Sequence, residues 1–196
     1  MPRVVSQEQR RRDIVDAVWK VAAAEGVPAV TFRRIGKELG GSSTLVTESF
    51  PTRSEMLDYA MSTRIAEWEE RFRQVSVGGE ESPIDMLRAL LLENCPVDEE
   101  GRGVARIWLS DICGPWGEQA PNARGHIRGH IRWFREQVAV LADQLGGGRD
   151  SAELLVTLTY GINAAATEEP GAWPPQRIEA FVDDVIDRIR TRRPLI

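Results

Sequence analysis

The stretch from Thr31 to Arg53, TFRRIGKELGGSSTLVTESFPTR, constrains the fold more than any other part of the chain. Ile35 and Leu39 stand four apart, which puts them on one helical face. Gly40 and Gly41 supply the positive φ that ends this helix and turns the chain. Ser42 is placed to cap a second helix, whose Leu45, Val46 and Phe50 pack back on the first. Pro51 ends that helix. A helix of about eight residues cannot bury a core alone, so a pair at a fixed angle needs a third helix beneath it. The spacing predicts a helix-turn-helix, whose second helix enters the major groove of DNA.

Around this stretch, Ile14, Asp16, Ala17, Gly26, Thr31, Arg33, Ile35, Lys37, Glu38, Gly40, Ser42, Phe50, Pro51 and Leu57, with Val46 as a conservative match, form one ungapped pattern from about Arg12 to Leu57. It resembles the N-terminal DNA-binding domain of the tetracycline-repressor (TetR) family. The resemblance implies that Thr31 caps the first motif helix near a phosphate and that Arg53 meets the DNA backbone. The chain departs from the family's usual residues at four places. Thr44 stands where a small residue, often glycine, is usual. Thr47 and Ser49 stand where aromatics contact phosphates, and Glu48 where a histidine or another polar or basic residue is common. The operator sequence therefore cannot be borrowed from the family.

A net charge of -5 argues against a general polyanion binder. The distribution argues for a local one. Residues 1–53 hold nine Lys or Arg and six Asp or Glu, a net of +3, and the remainder carries a net of -8. A basic head on an acidic body suits a confined phosphate footprint, although chance asymmetry gives the same numbers. Cys95 and Cys113 are the only cysteines, which points to a reducing compartment and no disulfide framework. The charged N-terminus lacks the apolar stretch of a secretory signal, and no apolar run reaches the length of a membrane span. The expectation is a cytoplasmic protein without a membrane segment.

Prolines fall between apolar-periodic segments and strand-like alternation is scarce, so the chain reads as all-α with about nine helices. Ser6 with Gln9, and Thr52 with Glu55, form capping-box patterns that open the first and fourth helices. Arg10, Arg11 and Arg12 lie at the start of the first helix, against its dipole, which suggests either a phosphate partner or a plain solvated surface. In the fourth helix Leu57, Met61, Ile65, Trp68 and Phe72 make one apolar stripe. Its roughly 25 residues span about 37 Å, long enough to connect a head, residues 1–53, with a body, residues 54–196. Gly125 and Gly129 cost helix propensity in the seventh helix, so close approach by a backbone or a ligand is expected there. The eighth helix is apolar nearly all round and the ninth is striped.

Residues 82–190 resemble, at the level of pattern, the regulatory domain of the branch that includes the choline- and betaine-responsive repressors. A Trp108-Leu109 stretch, a long amphipathic helix, an apolar helix and a Trp-Pro before the last helix come in the same order. The resemblance implies a homodimer that pairs the last two helices across a two-fold. Leu155, Leu158, Ile162, Phe181, Val182, Val185 and Ile189 are the expected interface. Two heads would then stand about 34–36 Å apart on a palindromic operator.

Candidate DNA-binding residues are Thr31, Arg33, Ser42, Ser43, Thr44, Thr47, Glu48, Ser49 and Arg53. The hydroxyls can donate to phosphates or bases, and Glu48 can accept from cytosine N4 or simply repel phosphate. Met86, Leu90, Asn94, Trp108, Cys113, His130, Trp133, Phe134, Tyr160 and Asn163 are candidate lining for an apolar effector pocket, against ordinary core packing as the alternative. The branch resemblance implies a cationic ligand, which Trp or Tyr faces there would hold by cation–π contact. His126 and His130 have a spacing that can bind zinc, but no third ligand stands at a matching spacing, so no metal, cofactor or catalytic residue is assigned. The chain reads as a ligand-responsive DNA-binding regulator, most simply a repressor. The rival reading is a helical binding or enzymatic protein whose head has lost DNA affinity.

Overall fold

The computed structural model describes residues 6–77, 82–113 and 122–191. Among them the regular structure is helical: α1 Gln7–Glu25, α2 Phe32–Glu38, α3 Ser43–Thr47, α4 Arg53–Val77, α5 Pro83–Glu93, α6 Glu99–Cys113, α7 Ala123–Gln144, α8 Gly148–Glu168 and α9 Pro175–Thr191. A 3₁₀ turn, Val27–Ala29, precedes α2. Residues 78–81 and 114–121 lie outside the described residues.

Local chemistry sets most helix ends. The hydroxyls of Ser6, Thr31, Thr52 and Ser82 accept from the backbone N–H three residues on, at 3.1, 3.1, 3.1 and 3.3 Å. The Gln9 side-chain amide nitrogen donates forward to Asp13 Oδ1 at 2.9 Å, one helical turn on. Ser42 sits at the cap of α3 but its hydroxyl makes no capping bond. The Leu45 N–H that it would bind goes instead to the Ser42 carbonyl at 3.3 Å, a bond that tightens so short a helix. At the end of α2, Gly40 has φ 69°. Its N–H donates to Lys37 O, and that of Gly41 donates to Gly36 O. That is a Schellman close, in which one positive-φ glycine suffices.

Packing divides the chain into two units, and α4, α6 and α7 contribute to both. The first comprises Met1–Glu67 and Arg106–Ile127. Its core holds Ile14, Val18, Val21, Val30, Ile35, Val46, Phe50, Met56 and Leu57, all buried. Polar clamps tie this small core together. The Trp19 indole donates to Ala60 O at 3.2 Å, joining α1 to α4. Arg34 bridges Glu25 and Glu38 at 2.7 and 2.8 Å, joining α2 to the end of α1.

The second unit comprises Trp68–Ala105 and Arg128–Ile196. Its core is apolar and continuous, with Leu87, Leu90, Leu91, Phe134, Val138, Leu141, Leu155, Val156, Ile162, Ile178, Val182 and Ile186. Cys95 is packed here, where burial pushes its thiol up to about 12. Arg88 of α5 grips Asp183 of α9 at 2.6 Å over the rim of the core.

Most of the residues expected at a dimer surface pack inward in this unit. Leu155 is 0% exposed, and Ile162, Val182, Val185 and Ile189 are also buried within the single chain, while Leu158 is half-buried. The apolar faces of α8 and α9 cover their own core first. Of the seven residues expected to face a partner, Phe181 alone is clearly outward, at 41% exposure. The outward stripe of α8 is Thr157, Tyr160, Gly161 and Ala164.

Candidate DNA-facing surface and aromatic cluster

The crossing of α2 and α3 is governed by one residue absent from the sequence-based candidates. A Cβ on Gly36 would sit 2.6 Å from the Ser42 carbonyl oxygen and 2.9 Å from the Ser43 nitrogen. Only a bare Cα lets the turn lie so close to α2. The signal was present, since glycine inside a seven-residue helix is costly unless something approaches it. Where that signal was read, at Gly125 and Gly129, nothing lies within 4 Å of an added Cβ.

On the surface that this crossing presents, Thr31, Arg33, Ser42, Ser43, Thr44, Thr47 and Glu48 are all exposed. The Thr31 hydroxyl accepts the capping bond and keeps its own proton to give. Thr47 spends its proton on Thr44 O at 3.1 Å and has only lone pairs to offer. Two candidates turn inward. Ser49 is 4% exposed, because the chain folds back there toward buried Phe50, so its hydroxyl has no path to a phosphate. Arg53 donates Nε to Val30 O and Nη2 to Val27 O at 2.5 and 2.8 Å, fastening the start of α4 to the turn before α2. Desolvation there lowers its pKa.

Arginines at the start of α1 also address this surface. Arg10 Nη1 lies 3.3 Å from Glu48 Oε2. Arg11 donates Nη2 to Ser49 O at 3.1 Å, and its guanidinium lies over the rings of Phe50 and Tyr59 at 5.0 and 5.1 Å. Arg12 pairs with Glu8 instead. No sequence spacing announces partners 38 residues apart.

In the second unit, α4 and α7 bring four rings together. The His130 imidazole stacks on Trp133 at 5.4 Å and 23°, and Trp68 tilts against it at 5.9 Å. Phe72 meets Trp133 edge-on at 5.5 Å. His130 is 3% exposed, and its Nδ1 lies 3.2 Å from Glu69 Oε1. Burial lowers the imidazole pKa and outweighs the opposing pull of Glu69. Three half-buried aromatics beside one carboxylate make a surface suited to a small organic cation.

The residues expected to line a pocket have different surroundings. His130 and Trp133 join the ring cluster. Leu90 and Phe134 are ordinary core, and Met86 packs against that core. Asn94 donates to Leu90 O, while Asn163 donates to Asn94 O and Thr159 O, so this pair pins α8 to the end of α5. Tyr160 faces outward and Trp108 belongs to the first unit. The Cys113 side chain lies outside the described residues. Trp68, Glu69 and Phe72 were missed because the two aromatics fit the apolar stripe of α4 and read as core. His126 is exposed where His130 is buried, although they stand one turn apart.

No family model matches the chain. Among proteins of known role, it is 29% identical over 110 residues to the helix-turn-helix transcriptional regulator PksA of Bacillus subtilis, covering 56% of this chain and 53% of that one. It is 26% identical over 110 residues to the helix-turn-helix regulator BetI 1 of Chromohalobacter salexigens, covering 56% and 54%. The chain thus spans about half the length of the curated relatives it matches. Among solved structures, a transcriptional regulator from Rhodococcus sp. Rha1 superposes with a TM-score of 0.78 at 22% identity, covering 95% of this chain and 99% of that one. A protein from Saccharomonospora viridis described as a transcriptional regulator, solved in complex with choline, has a TM-score of 0.78 at 19% identity, covering 92% and 96%. A TetR-family regulator from Bordetella parapertussis 12822 has a TM-score of 0.61 at 18% identity, covering 93% and 94%. The fold is the one these regulators share. The sequence relatives agree with the resemblance to the TetR family and to its choline- and betaine-responsive branch.

Proposed function

We propose that this chain is a TetR-family transcriptional regulator that holds an operator until a small organic cation releases it. The observation that carries the reading is the α2–α3 crossing at Gly36, with seven exposed polar candidates arrayed on it. Short helices crossed that tightly leave their outer face to a groove rather than to a core. Residues 1–53 are assigned to reading DNA, and residues 54–196 to effector binding and dimerisation. The outward stripe of α8, with Phe181 of α9, is the surface assigned to a second copy. Two copies would set the heads on a palindrome.

The effector is assigned to Trp68, Glu69, Phe72, His130 and Trp133. Ring faces and a carboxylate favour a quaternary ammonium over a neutral compound of the same shape, and the choline-bound structural neighbour supports that class. Helix α4 carries Trp68, Glu69 and Phe72, and its earlier residues Met56, Leu57 and Ala60 belong to the core of the first unit. A ligand that prefers one arrangement of this helix shifts the population away from the DNA-bound form.

Two measurements test the reading. Selection of bound sequences from random duplex DNA at low salt should enrich a palindrome. Enrichment of none would overturn the assignment to DNA. Isothermal titration should show choline binding more tightly than 3,3-dimethylbutan-1-ol, its uncharged carbon counterpart. Equal affinities would remove the cation assignment and leave the DNA assignment standing.

A further inference from the structure

Glu48 closes α3 and is exposed beside Thr44 and Thr47, so a negative charge stands on the surface assigned to DNA. Left alone, it would repel phosphates on every sequence alike. It is not alone. Arg10 Nη1 sits 3.3 Å from Glu48 Oε2, with the side chains 38% and 60% exposed. Arg10 reaches it from a held base. Its neighbour Arg11 is half-buried, bonded to the Ser49 carbonyl and laid over Phe50 and Tyr59, which fixes this part of α1 against the end of α3. Both cations lie at the C-terminal end of α3, where the helix favours positive charge.

We propose that the Arg10–Glu48 pair is a specificity-determining element of the DNA-facing surface. Arg10 cancels the repulsion and orients the carboxylate. Glu48 then accepts from an amino group on a base edge, and in the major groove the cytosine N4 amino group is the complementary donor. Arg10 is a positioning residue in this scheme, acting through Glu48. The proposal rests on the DNA-binding reading above.

The test combines sequence selection with a double-mutant cycle on the full chain, using wild type, Glu48→Ala, Arg10→Ala and the double variant. All four should keep the wild-type helical circular dichroism, since both residues are surface positions. Wild type should enrich a C·G pair at one symmetric position in each half-site. Glu48→Ala should relax that preference roughly tenfold. Arg10→Ala should weaken binding to the selected site several-fold in the wild-type background and less than about twofold once Glu48 is gone. Two outcomes overturn the proposal while leaving DNA binding intact. One is Glu48→Ala tightening all sequences uniformly with base preference unchanged. The other is Arg10→Ala costing the same factor in both backgrounds, the behaviour of an independent phosphate contact. Wild type enriching no site would overturn the DNA-binding reading, and this proposal with it.

Discussion

The two packing units solve the same problem with different means. The second has long helices, and their stripes interlock into one apolar core around Leu155, Ile162 and Val182. The first must hold a seven-residue helix against a five-residue one, and neither has area enough to do so by burial. It relies on a close backbone approach at Gly36 and on side chains that bind carbonyls, Trp19 to Ala60 and Arg53 to Val27 and Val30. Sensitivity should differ accordingly. The body should respond to lost volume, and the head to added atoms and lost donors.

Four changes would break or sharpen that contrast. Leu155→Ala should cost about 3 kcal/mol, since it opens a cavity in a fully buried position. Urea unfolding measures it, and a cost under about 1 kcal/mol would show the body to be loosely packed. Gly36→Ala should cost about 2 kcal/mol, because the methyl would meet backbone rather than a side chain that can yield. The same unfolding experiment checks this, and operator affinity should fall with it. Arg53→Lys should cost about 1 kcal/mol by losing one of two carbonyl bonds. In Arg53→Ala, which removes the charge altogether, the salt dependence of DNA binding should stay unchanged. A slope flattened by about one ion would instead make Arg53 a phosphate contact.

The smallest effect is a pH dependence from His130. Its folded pKa is lowered by burial, so below about 6.5 the unfolded chain takes up a proton that the folded chain resists. Stability from this residue is present above pH 6.5 and is lost as pH falls toward the depressed folded value. Unfolding midpoints at pH 7.5 and 5.5 measure the loss, and His130→Gln should flatten it. An unchanged slope in that variant would place the dependence elsewhere.

What could be read from the residues follows from how local each cause is. Capping hydroxyls at Ser6, Thr31, Thr52 and Ser82 act three residues away, and the Gly40 close acts within one turn, so helix ends and the helix-turn-helix were legible. The outward face of α8 was not. A helix apolar nearly all round does not say which side its own core will claim, and the core took Leu155 and Ile162. The ring cluster was hidden for a related reason, since Trp68 and Phe72 satisfy an apolar stripe and reveal their companion Glu69 only when α7 supplies His130 and Trp133. The resemblance implies that Ser49 and Arg53 reach outward, whereas Ser49 lies in a buried turn and Arg53 donates to the Val27 and Val30 carbonyls.

The bare Cα at Gly36 has an evolutionary consequence. Every glycine codon lies one base change from an alanine codon, so a single transversion suffices to jam this joint. If the crossing reads DNA as proposed, a lineage could lose that ability while the body, built around a different set of residues, went on folding, and such a descendant would carry its history in one methyl group.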